Sequence, residues 1–129
     1  MRWFGSAVLW AGGLGFLAFG AAFLFAPLAT MAMAGLELSG ALAATELMAF
    51  YGGIELALGA VLVCCAIQAT RRADGLRLML IVYGAIAACR LAGMLSTGAD
   101  SSFLRLALGM EAGLALLAAV ALSVRGKSG

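Results

Sequence analysis

Uncharged, apolar residues run from Trp3 to Ala26 and are stopped by Pro27, the only proline in the chain. At about 1.5 Å per residue such a helix is roughly 36 Å long, enough to cross the hydrocarbon of a bilayer with some tilt. Residues 28–45 are small and apolar but broken by Gly35 and Gly40 and charged at Glu37. That interruption predicts an outer interfacial or re-entrant segment rather than a span. A second long apolar run, residues 46–69, carries a carboxylate, Glu55, near its middle. Two more follow: residues 76–95, which contain Arg90, and residues 103–124, which contain Arg105 and Glu111. The connections at 71–75 (RRADG) and 96–102 (STGADSS) are short and rich in turn formers, which makes the second, third and fourth helices antiparallel neighbours. The pattern predicts an all-α, integral membrane four-helix bundle that forms one domain over residues 1–129.

Composition supports the membrane class. Of 129 residues, 65% are hydrophobic and 11% charged, with a mean hydropathy of +1.13. Too few polar residues are present to cover so much apolar surface in water. A secretory signal is a rival reading of the first run, with Arg2 as its basic region and Ala32-Met33-Ala34 as its cleavage site. Signal cores usually hold about 7–15 apolar residues, which favours a retained helix, and only the mature N-terminus separates the two.

Basic residues are distributed unevenly. With the N-terminus inside, Arg2, Arg71, Arg72, Arg77, Arg125 and Lys127 share one side, while the outer loops hold no lysine or arginine. The positive-inside rule then places both termini in the cytoplasm. A net charge of +2 without a basic, aromatic-rich run gives no basis for nucleic-acid binding.

Candidate chemistry is sparse. No histidine is present, which removes the commonest metal ligand and proton shuttle. Cys64, Cys65 and Cys89 form no CxxC and are read as small buried hydrophobes. No nucleophile–base pair, metal set or cofactor motif is visible, so no catalytic residue, metal or cofactor is assigned.

The charges within the spans are the exception. Helix rise places Glu55, Glu111 and Arg90 roughly 13, 12 and 8 Å inside the outer boundary, at similar depth on three helices. Intramembrane charges face inward and pair, so the three are expected to meet on the bundle axis. Two carboxylates beside one arginine in low dielectric require either that one be protonated or that Arg105 assist from above. Tyr51, one turn before Glu55, is placed to donate a hydrogen bond to it, or else serves as an interfacial aromatic. Glu46 and Arg105 fall near the outer boundary, where a solvated rim is the simpler reading. Gly52 and Gly59 share the face of Glu55, Gly53 forms a small-xxx-small pair with Ala57, and Gly109 and Gly113 flank Glu111 as GxxxG. These glycines predict tight helix packing around the carboxylates.

The order Glu46, YGGIELALG at 51–59, RLAG at 90–93 and Glu111 resembles a small bacterial membrane family designated domain of unknown function 4345. The resemblance covers nearly the whole chain, and the first helix shares only its apolar character. More loosely, GG-x-E-L-x-L-G followed by an arginine-containing segment is similar to DoxX-like four-helix membrane proteins, some of which are accessory subunits in redox or sulfur metabolism. The resemblance implies the inner membrane of a bacterium and a family pattern of charged positions, but no activity.

Two functional readings follow. In the first, Glu55, Arg90 and Glu111 form a polar site for a small ligand in a transporter-like module, with a homodimer building any translocation path. In the second, the same charges clasp the bundle of a non-catalytic accessory subunit whose glycine faces dock a membrane partner. A membrane enzyme ranks third.

Overall fold

The computed structural model describes the backbone of residues 2–126 and the side chains of residues 3–124. The side chains of Arg2 and Arg125, and all of Lys127, which entered the charge count, lie outside the described residues.

Helix α1, Arg2–Phe25, uses the whole first apolar run. Ala26 leaves the helical region (φ −144°) and Pro27 opens a short helix α2, Pro27–Met33, as suits a residue with no N–H to donate. The Thr30 hydroxyl donates to the carbonyls of Ala26 (2.7 Å) and Ala22 (3.1 Å), which also accept the backbone N–H groups of Thr30 and Ala26, and so ties the start of α2 to the end of α1.

Helix α3, Ala41–Glu46, runs directly into a π-helical turn, Leu47–Gly53, and then into α4, Ile54–Ile67. Together these form one continuous rod, Ala41–Ile67, so the second long helix starts well before Glu46. Gly40, at φ 94°, supplies the left-handed backbone that turns the chain into α3. The polar turn after α4 also differs from expectation. The break falls at Gln68, a 3-10 turn covers Ala69–Arg71, and α5 already begins at Arg72 and runs to Thr97. Asp74 thus lies in the first turn of α5, where its charge suits the helix dipole. Gly75 is buried so closely that a Cβ there would lie 2.5 Å from that of Cys65. Gly98, at φ 71°, ends α5 in the left-handed conformation, and α6 runs from Ser102 to Gly126.

The rods pack as two close pairs, α1 with α4 and α5 with α6, which meet more sparsely. Glycines set the first pair. A Cβ on Gly59 would stand 2.8 Å from the Gly13 carbonyl oxygen, and one on Gly20 would stand 2.8 Å from the Leu56 nitrogen. These contacts make α1 and α4 antiparallel and bring their backbones together. Gly12 admits Met79 and Tyr83 of α5, while Leu76 of the same helix lies beside Gly5, so α1 and α5 run parallel. The second helix and α5 are therefore not each other's main neighbours, despite their short connection. α1 is the element on which α4, α5 and α6 all lean.

The main core occupies the half of the bundle nearer the termini: Leu9, Phe16, Leu62, Leu76, Met79, Tyr83 and Ala118 are among its members. A small second cluster, Phe23, Met31 and Leu47, closes α1 against α2 and the π turn at the other end. Large apolar side chains such as Phe25, Leu42, Leu95 and Leu106 point outward, which suits a lipid surround. Cys65 is buried in the main core, whereas Cys64 and Cys89 are exposed on the helix exteriors. The expectation of three buried cysteines therefore holds for one.

Candidate functional site

Two helical turns separate Tyr83 from Arg90 along α5, and the tyrosine forms the floor beneath the arginine. Its ring stacks on Phe16 of α1 at 4.5 Å between centroids, and its hydroxyl donates to the Gly12 carbonyl at 2.8 Å. Above that layer α5 and α6 bury little. No residue of α5 beyond Ala87 is buried, and the buried residues of α6 begin only at Ala115.

Arg90 and Glu111 occupy this less packed half and bind one another. The Arg90 Nε donates to Glu111 Oε2 at 2.7 Å and its Nη2 donates to Oε1 at 2.6 Å. A parallel, two-toothed contact of this kind is among the stronger charge-assisted arrangements. Both side chains are largely shielded, at 25% and 12% exposure.

Glu55 enters from the opposite side of the axis, in the first turn of α4. It lies within electrostatic reach of Glu111, and the Tyr83 hydroxyl lies within reach of both carboxylates. The three charges converge, but not equally. Arg90 spends its contact on Glu111, and the Glu55 Oε2 is buried with no hydrogen-bond partner among the described residues. An unpaired acceptor in an apolar setting is costly and needs an explanation.

The remaining expected site residues divide. The Tyr51 ring packs on Phe23 at 4.9 Å and lies within electrostatic reach of Arg90. It does not donate to Glu55. The π turn shifts hydrogen bonding from i→i+4 to i→i+5, so a spacing of four residues no longer stacks the two side chains. Such turns occur often at functional sites, and this one ends at Gly52-Gly53, just before the carboxylate. Arg105 does not assist the cluster; its guanidinium pairs with Asp100 at 2.6 Å, with both side chains 60% exposed. Glu46 is exposed. Gly52 and Gly59 pack against α1 as the sequence suggested, with Gly52 beside Leu24 and Gly20. Gly109 and Gly113 meet nothing within 4 Å of an added Cβ, and Gly53 meets only a carbonyl of its own helix at 3.9 Å. The α6 glycines therefore do not tighten the bundle around Glu111.

Three contributors went unnoticed in the sequence. Gly13 and Gly20 hold the α1–α4 crossing, and they carry the same spacing as Gly52 and Gly59, a match that would have exposed the pairing. Tyr83 lies on the Arg90 face of its helix two turns away, a spacing that was equally available.

These features define an all-helical, multi-pass membrane protein: among the described residues four helices, Trp3–Phe25, Ala41–Ile67, Ala69–Thr97 and Ser102–Val124, are long and apolar enough to cross a bilayer. The family model described as Domain of unknown function (DUF4345) matches residues 5–122, and the chain belongs to that family. No curated protein and no solved structure shows significant similarity to it. The wider likeness to DoxX-like proteins gains no support from these comparisons.

Proposed function

We propose that this protein is a small-ligand-binding, transporter-like module of the bacterial inner membrane, with Glu55, Arg90 and Glu111 as its polar site. The observation that carries the reading is the bare Oε2 of Glu55. A clasp whose sole purpose was to hold helices together would leave no buried carboxylate oxygen unpaired beside a completed Arg–Glu contact. A binding site needs such an atom. Few residues of α5 and α6 are buried at this level, so the cluster lies near the surface of the bundle. Arg71, Arg72 and Arg77 cluster at the turn on the termini side, whereas Arg105 at the other end is offset by Asp100. Both termini are accordingly assigned to the cytoplasm and the site to the outer half of the bilayer.

The second reading, an accessory subunit, draws on Gly109 and Gly113, whose open face on α6 would accept a helix of another protein. Native mass spectrometry of protein released gently from membranes, wild type beside Glu55→Gln, separates the two. A reproducible small-molecule adduct on the wild type alone, with the variant still folded, is the expected result. Bare protein in both cases, with the variant dissociating or losing a co-purifying protein, would overturn the ligand reading in favour of the subunit.

A further inference from the structure

We infer that the ligand received by this site is a monovalent organic cation, an ammonium or other onium group on an apolar body. The inference rests on the reading of the Glu55 cluster as a ligand site.

Charge is the first argument. Arg90 is fully engaged in charge terms by Glu111, through two short contacts. Glu55 therefore stands as the one carboxylate of the cluster with neither a cation nor a donor against it. With Arg105 paired to Asp100, the empty cluster is neutral only while one of its carboxylates holds a proton. A single positive charge at the Glu55 Oε2 takes that proton's place, the proton leaving to water, and keeps the apolar surround free of net charge. An anionic ligand would have to break the Arg90–Glu111 contact to find a cationic partner. A neutral ligand would neither displace that proton nor draw on the carboxylate's charge.

Coordination chemistry narrows the cation. Among the described residues no group of three His, Cys, Asp or Glu side chains could hold a metal ion. A divalent metal, which takes several oxygen ligands, is therefore poorly served here. One free carboxylate oxygen is instead the acceptor an ammonium group requires.

The walls supply the third argument. Tyr51, 48% exposed, presents a ring braced by Phe23 at 4.9 Å, and it lies close enough to the cluster to interact with Arg90. A cation is attracted to an aromatic face within about 6 Å, and aromatic rings beside a carboxylate are a recurrent way of holding ammonium groups. Leu91, Leu95 and Leu106, on the same half of α5 and α6, are 45%, 77% and 67% exposed. They offer apolar surface to the ligand's body along a route from the lipid.

The test uses the full-length protein in detergent micelles. Binding of tetraphenylphosphonium and benzyltrimethylammonium is measured by equilibrium dialysis, with tetraphenylborate as a probe of the first one's shape and opposite charge. Wild type, Glu55→Gln, Glu55→Asp and Glu37→Gln are compared, each checked for folding by circular dichroism. Glu37 is exposed and remote in sequence from the cluster. The expected result is saturable binding of at least one cation to the wild type and to Glu37→Gln. Glu55→Gln should weaken it by about 10- to 100-fold, the worth of a charge-assisted contact. Glu55→Asp, which keeps the charge, should retain part of the affinity even if Glu55→Gln fails to fold. Saturable binding of tetraphenylborate that depends on Glu55 would overturn the cation assignment and leave the site standing. Absence of saturable binding of any probe, with an adduct still present on wild type in native spectra, would overturn the cation assignment alone. Cation binding equal in all four proteins, or no binding with no adduct, would overturn the site as well.

Discussion

Gly59→Ala tests the claim that the bundle is built on the α1–α4 crossing. The added Cβ would lie 2.7 Å from the Leu17 Cγ, 2.8 Å from the Gly13 carbonyl oxygen and 2.9 Å from the Leu17 nitrogen. Two of these three atoms belong to backbone, so no side-chain rotation relieves the contact. Ordinary carbon contacts require roughly 3.5 Å, so the helices must part by on the order of 0.7 Å. Overpacking of this kind costs about 1–3 kcal/mol. Alanine recovers about 0.5–1 kcal/mol through its better helix propensity. The net expectation is a loss of about 1–2 kcal/mol, which changes the folded-to-unfolded ratio about 5- to 30-fold. Gly113→Ala is the matched control, because nothing lies within 4 Å of its added Cβ. It should leave stability unchanged or raise it by about 0.5 kcal/mol. Both variants are unfolded with dodecyl sulfate from mild detergent and followed by circular dichroism. Wild-type behaviour of Gly59→Ala would refute the close crossing, and a larger loss at Gly113 would mean that the α6 face is occupied.

Two further substitutions address the floor and the ion pair. Tyr83→Phe removes the hydrogen bond to the Gly12 carbonyl while keeping the stacked ring, and should lower stability by about 1 kcal/mol in the same titration. Arg90→Met leaves Glu111 without its partner and should cost about 3 kcal/mol, whereas Arg90→Met combined with Glu111→Met should recover most of that loss. Additive losses in the double variant would show that the two residues do not act as a pair.

Much of the architecture was legible before any coordinates. Four long apolar runs, one proline and two polar breaks suffice to specify helices and their number, because lipid leaves the backbone no other way to satisfy its hydrogen bonds. Helix rise alone gave Glu55, Arg90 and Glu111 similar depths, and an intramembrane charge is favoured facing inward, where it can pair. Tertiary structure decided which helices touch and which charges pair. Arg90 reaches Glu111 because α5 and α6 form a close antiparallel pair, whereas Glu55 belongs to a rod packed on α1 and stays unpaired. Periodicity could not reveal that. Gly13 and Gly20 repeat the seven-residue spacing of Gly52 and Gly59, but α1 holds other glycines too, and a GxxxG pattern looks the same whether it faces a neighbour or open space. The π turn was equally invisible, since the same residues suit an α-helix. It packs against α1 and α2, and within it Tyr51 meets Phe23 rather than Glu55.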